Sequence, residues 1–198
     1  MTIRMTLTPV RVARVLRDAP FPWGIAGGWA IDLWSGAWAR RDHADTDVAV
    51  WRDDAAAVAK FLAPGWEIHL VEDGEFTHWD GSLGDAHQAW VRRVGDAEWA
   101  FELLFEERNG DAWVFRRDRR VGRPAAGLIT TVRDLPAVEL PVVLLYKAKH
   151  HREVDDQDLD AALPQLDQHD RTWLSGAIAT AHGPKHPWVA RIPTRAES

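Results

Sequence analysis

Asp45 and Asp47 are separated by one residue and run into the apolar stretch Val48-Ala49-Val50. Alternate residues of a strand face the same way, so this spacing predicts two carboxylates side by side, about 7 Å apart at the backbone. Adjacent carboxylates repel, and a fold avoids holding them together unless a cation sits between them. Hard oxygen donors at this spacing suit Mg²⁺, which takes one or two carboxylates and completes its shell with water and substrate phosphates. Upstream, Gly27-Gly28 precede the amphipathic stretch Trp29-Ala30-Ile31-Asp32-Leu33. Bare backbone N–H groups at a helix start form a cradle for a triphosphate. Arg41 and His43 stand just ahead of the two acids, and an arginine there can fork onto a phosphate.

Two further positions have the right chemistry. Glu102 is the single acid in the run Trp99-Ala100-Phe101-Glu102-Leu103-Leu104-Phe105. A lone carboxylate is costly to bury unless it is paired, protonated or bound to a metal. Burial also lifts its pKa toward the range a general base needs. Glu106 and Glu107, closer to the strand end, read as solvated. Lys147 lies in the basic end of an apolar helical stripe, Tyr146-Lys147-Ala148-Lys149-His150, and is the second candidate phosphate contact. Arg116, Arg117, Arg119, Arg120 and Arg123 form a local basic run. Such a run is expected to be a solvated face; if it serves a site, a triphosphate is the expected ligand.

The ordered residues Gly27-Gly28-Trp29-Ala30-Ile31-Asp32, Gly36 and Arg41-x-His43-x-Asp45-x-Asp47-Val48 resemble the small-molecule nucleotidyltransferases of the DNA polymerase β-like superfamily. Within it they most resemble the branch of aminoglycoside 2″-adenylyltransferases and lincosamide nucleotidyltransferases. The resemblance is dense over residues 23 to 50 and diffuse beyond. It implies an α+β fold, a mixed sheet flanked by helices with a helical C-terminal part. It also implies transfer of a nucleoside monophosphate, AMP by analogy, from a Mg²⁺-bound NTP to a hydroxyl of a small molecule such as an antibiotic. By the same resemblance Asp45, Asp47 and Glu102 carry one or two Mg²⁺ ions, Glu102 serving as ligand or as base. The resemblance puts Gly27, Gly28 and His43 at the nucleotide, His43 orienting Asp45 or Asp47, beside Arg41 and Lys147, the phosphate contacts expected from the residues themselves. Arg152-x-x-Asp155-x-x-Asp158 resembles a superfamily segment, but Val154 stands where that segment has a lysine, so helix capping and interdomain packing are its expected tasks. Two alternatives stand beside this reading: nucleotidylation of a protein or tRNA end, and a nucleotide-binding module without turnover.

Positioning these residues requires a strand into the glycine pair (Trp23 to Ala26), a helix from 28 to 35 stopped by Gly36, and a strand from Asp47 to Trp51. Before them, Thr8-Pro9 opens a first helix over 8–18. Asp53-Asp54 cap a helix to Leu62. Strands are expected at 66–71, 87–93 and 99–105, with a weaker one after the Asp73-Gly74 turn. Asn109-Gly110 turns the 99–105 strand into a hairpin partner. The α/β part is expected over residues 1–125. A helical part is expected over 136–198, with helices at 138–149, 155–163 and 171–181.

Composition narrows the class. No cysteine is present among 198 residues, which removes thiolate metal sites and cysteine nucleophiles. A formal charge of −6 disfavours a general nucleic-acid binder. With no long apolar run near Met1-Thr2-Ile3-Arg4 or elsewhere, no membrane partner and a cytoplasmic location are expected. The twelve tryptophans read chiefly as packing residues. A homodimer, with the acceptor cleft shared across it, is a further expectation from the resemblance.

Overall fold

The structure is a computed structural model describing residues 6–194 apart from 73, 80, 81 and 151. Asp73 of the expected turn and the Met1–Arg4 segment lie outside the described residues.

The chain builds one mixed sheet with helices packed on it. Helix α1 (Pro9–Val15) begins with proline in its first turn, where the missing N–H costs nothing. Strand β1 (Trp23–Ile25) then feeds helix α2 (Gly27–Ser35), which ends at Gly36 with φ 75°. Strand β2 (Asp47–Trp51) returns antiparallel to β1. A 3-10 turn, Arg52–Asp54, leads into helix α3 (Ala55–Leu62). The acids Asp53 and Asp54 do not cap it: Asp54 makes no capping bond, and Asp53 instead pairs with Arg108 at 2.8 Å.

Strands β3 (Trp66–Glu72), β4 (Glu75–His78), β5 (Gln88–Arg93) and β6 (Phe101–Asn109) follow. Gly110 then turns the chain into β7 (Ala112–Val114), and β8 (Gly122–Pro124) pairs with β7. Among the described residues the sheet order is β4-β3-β5-β6-β2-β1, with β7 attached to β6. Strand β6 is central, as its apolar composition requires. Phe101, Leu103 and Phe105 are buried on one face, while Glu102, Leu104 and Glu106 take the other.

The sheet does not stop at residue 125. Strands β9 (Ile129–Val132) and β10 (Leu135–Val138) form a hairpin, and β10 lies parallel to β1. The hairpin was hidden because its turn, Arg133-Asp134, has no glycine. Both residues take left-handed φ, 50° and 67°, the geometry that usually selects Asn-Gly. Pro136 inside β10 lowers the strand signal further.

Helical structure starts at α4 (Leu140–Ala148) and continues through α5 (Glu153–Ala162), α6 (Gln168–His182) and α7 (Pro187–Arg191). Helix α4 is the hub: it packs on α2, α5 and α6, and α2 also meets α5. This places the glycine pair and the helical part on either side of one cleft. Tryptophan serves packing as expected. Trp113 and Trp188 are fully buried, and Trp38 is the one tryptophan among the exposed large apolar side chains of the described residues. No helix among the described residues is long and apolar enough to cross a membrane.

Candidate active site

Strands β2 and β6 run parallel with Asp47 opposite Glu102. Their side chains therefore share a face, and Trp90 on β5 is opposite Glu102 on its other side. Strand β2 begins at Asp47 as expected, but the side-by-side strand geometry read from the Asp45–Asp47 spacing is corrected: Asp45 is exposed in the loop before the strand. The buried Thr46 anchors that loop, its hydroxyl donating to the Leu7 carbonyl at 2.7 Å.

Gly27 is the first residue of α2 and takes φ +57°; a Cβ there would collide with Asp47 Oδ2. The helix start thus sits directly against the carboxylate, closer than any side chain permits. A Cβ on Gly28 would meet the Arg41 guanidinium and come within 2.7 Å of His43 Nδ1. Gly27, Gly28, Arg41, Asp45, Asp47 and Lys147 all line one cavity of about 440 Å³. Glu102 is half-buried on the same sheet face but is not part of that wall.

The acids repel one another. Burial, then the charge of Asp45, pushes Asp47 up to about 7, with Lys147 and Arg41 pulling the other way. Burial, then Asp47 and Asp45, pushes Glu102 up to about 9. The Trp90 indole opposes this only in part. Its N–H has no formed hydrogen bond among the described residues. Clustered oxygen donors that repel one another fit a divalent cation. Among the described residues no three histidine or acidic side chains close into a metal cage, so a cation here would also need water or phosphate oxygens.

His43 and the cations are held differently from the expected pattern. His43 Nε2 lies 2.8 Å from Asp32 Oδ2 and its ring stacks on Trp29 at 4.1 Å, so it belongs to Asp32 rather than to Asp45 or Asp47. Burial lowers its pKa, although Asp32 works to raise it. Arg41 pairs with Asp158 at 3.2 Å, and Lys147 pairs with Asp158 at 2.7 Å and Asp155 at 3.3 Å. Arg40 binds Asp158 as well. Burial would raise the Asp158 carboxyl, but Lys147 and Arg41 outweigh it and hold it below the ordinary range. The Arg152–Asp158 segment therefore does two things. Arg152 and Asp155 form a capping box at the start of α5, as expected, while Asp158 anchors both candidate phosphate ligands. The second role was unread because Asp158 meets Arg41 across 117 residues of chain. We expect Asp158→Ala to cost about 3 kcal/mol, since it removes a buried carboxylate shared by three cations and strands Arg41, while Arg40 keeps Asp32 and Lys147 keeps Asp155. Urea denaturation would show it; a loss below about 1 kcal/mol would mean that solvent already screens them.

Glu106 is also corrected. It is 5% exposed rather than solvated, and its Oε2 accepts from Trp113 Nε1 at 2.7 Å and Tyr146 Oη at 2.9 Å. Burial raises its pKa despite those two donors.

The mixed sheet with a glycine-led helix after its first strand has the fold of solved nucleotidyltransferases. The sequence profile of the aminoglycoside-2″-adenylyltransferase family matches residues 10–72, from α1 through β3. The structure is similar to the antibiotic-resistance factor ANT(2″)-Ia in solution, with TM-score 0.56 and 15% identity over 86% of this chain and 89% of that one. It is similar to ANT(2″)-Ia in complex with adenylyl-2″-tobramycin, with TM-score 0.57 and 13% identity over 85% and 93%. It is likewise similar to the lincomycin-bound lincosamide antibiotic adenylyltransferase LnuA, with TM-score 0.53 and 16% identity over 80% and 96%. No curated protein matches the chain by sequence. At these identities the structural likeness is one of fold. The profile match covers Gly27, Gly28, Asp45 and Asp47 but not Glu102 or Lys147.

Proposed function

We propose that this protein transfers a nucleoside monophosphate, AMP by analogy with its adenylyltransferase neighbours, from an NTP to a hydroxyl of a small molecule. The observation that carries this is the apposition of Gly27 to Asp47, with Glu102 in register beside it. In this reading Asp45, Asp47 and Glu102 hold Mg²⁺. When bound, the ion supplies charge neutralisation and Lewis-acid polarisation of the phosphates. The N–H groups at the start of α2 bind phosphate oxygens, and Arg41 and Lys147, fixed by Asp158, present positive charge beside them. Glu102 takes the proton of the acceptor hydroxyl as its oxygen attacks the α-phosphorus, and pyrophosphate leaves.

In this reading the acceptor sits beside the start of β5. A second cavity of about 520 Å³ shares His87, Gln88 and Arg116 with the first and carries Glu72 and Asp85. Cavities of this size suit small molecules, and the two acids suit an ammonium group, as on an aminoglycoside. The charge of −6 disfavours the tRNA alternative. Retention of all three carboxylates disfavours a module without turnover. A cytoplasmic location and a homodimer completing the acceptor cleft belong to the same proposal.

Calorimetric titration with each of the four NTPs and Mg²⁺, on wild type and Asp47→Asn, tests it. We expect magnesium-dependent binding, strongest for ATP and lost in the variant. No binding of any NTP at millimolar concentration, with or without candidate acceptors, would sink the proposal.

A further inference from the structure

Arg116 and Arg117 follow β7 and line the cavity that also contains Gly27, Gly28, Asp45 and Asp47. They differ from every other cation of that wall described above. Arg41, Lys147 and Arg152 each have a carboxylate partner. Arg119, Arg120 and Arg123, the rest of the basic run, are paired with Glu107, Asp118, and Glu139 with Asp170. Arg116 and Arg117 form no ion pair among the described residues. Their guanidinium carbons stand 5.9 and 5.2 Å from the Tyr146 ring, and Arg117 Nη1 donates to the Tyr146 carbonyl at 2.8 Å.

Glu106 on that wall feels the charge of both arginines but forms no ion pair with either among the described residues. Glu106 accepts from Trp113 and Tyr146, and burial favours its protonated form. Arg116 and Arg117 are thus two guanidiniums that repel each other, packed on one tyrosine and lining the cavity, whereas Asp47 already feels the positive charges of Lys147 and Arg41.

We propose that Arg116 and Arg117 form the subsite for the terminal phosphates of the NTP and for the departing pyrophosphate. The proposal rests on the nucleotidyltransferase reading and deepens it. Lys147 is already paired with Asp155 and Asp158. Arg116 and Arg117 form no such pair among the described residues and carry a planar donor fork that matches phosphate oxygens. As the acceptor oxygen bonds to the α-phosphorus, the bond to the bridging oxygen breaks and its electron pair leaves with pyrophosphate. The two guanidiniums offset the negative charge that develops there; no bond to the protein forms or breaks.

The rival source of an anion is the acceptor, because Arg116 also borders the second cavity. Titration with inorganic pyrophosphate, tripolyphosphate and AMP, each with Mg²⁺, on wild type, Arg116→Gln and the Arg116→Gln/Arg117→Gln double variant separates the cases. Neither arginine is buried, so the variants are expected to fold, and their melting temperatures check this. We expect pyrophosphate and tripolyphosphate affinity to fall about ten-fold or more per arginine, with AMP affinity unchanged. Equal pyrophosphate affinity in wild type and double variant overturns the subsite, even where ATP is turned over normally. A raised acceptor KM with pyrophosphate binding untouched overturns it too, and gives the arginines to the acceptor. If wild type binds pyrophosphate through these arginines but no NTP is turned over, the subsite stands and the transferase reading alone falls.

Discussion

Glu102→Gln is expected to stabilise the magnesium-free protein at pH 8 while reducing kcat by about 10² to 10⁴ fold, the usual contribution of a general base. The stability gain comes from proton linkage. Glu102 titrates at about 9 and Asp47 at about 7 in the folded chain, against 4.5 and 3.8 as ordinary values. Between those limits the folded state retains protons that the unfolded chain has released, so stability falls as pH rises from about 4 to about 9. Each tenfold change in proton affinity is worth about 1.4 kcal/mol, and relaxation of a half-buried site reduces the sum, so we expect a penalty of about 2–4 kcal/mol for Glu102 at pH 8. Glutamine carries no such penalty. Urea denaturation in EDTA at pH 5 and pH 8 measures it: wild type should lose stability over this interval, and Glu102→Gln should lose much less. Mg²⁺ with an NTP should recover most of the wild-type loss. A wild type equally stable at both values would show that the acids are already compensated, and the metal reading of the three carboxylates would go with it.

A site that repels itself when empty explains why some of it could be read from sequence and some could not. Asp47 and Glu102 were legible because each sits at a fixed phase of an apolar alternation, and phase survives folding whatever the partners are. The orientation of Asp45 was misread for the same reason. The alternation is visible, but it extends no further than the ladder with β6, which starts at Asp47, so it does not set the direction of a residue in the loop before it. Gly27-Gly28 was legible as a helix start, whereas the contact of Gly27 with Asp47 was not, since it depends on how α2 leaves β1. The Glu106 network was invisible because its burial comes from Trp113 and Tyr146, residues on other elements. Likewise, nothing local marks Asp158 as an anchor rather than one more acid in the acidic face of α5. The β9–β10 hairpin failed for a different cause, a turn made without its usual residues. Local chemistry thus brought out the candidate groups of the site, and long-range packing determined which of their charges are paired.

Gly27→Ala is expected to abolish nucleotide binding while leaving the fold intact, and it isolates the one contact on which the functional reading most depends. Two penalties combine at this position. An L-residue at φ +57° costs about 1–2 kcal/mol of backbone strain, and the new methyl occupies the place of Asp47 Oδ2. The carboxylate must rotate away, so the variant should lose Mg²⁺-NTP affinity by about 100-fold or more, as misplacement of a ligand group by an ångström does. Gly28→Ala is the control. Its methyl meets the far end of Arg41, which can move, and a ring atom of His43 at 2.7 Å, so we expect a smaller loss, chiefly in affinity for the phosphates. The decisive comparison is a double-mutant cycle with Asp47→Ala, read by urea denaturation. Removing the carboxylate removes the collision but not the strain. Gly27→Ala should therefore destabilise the Asp47→Ala background by about 1 kcal/mol less than it destabilises wild type. Additive losses would mean that Gly27 and Asp47 do not touch, and the cradle formed by the start of α2 would have to be sought elsewhere on the cleft.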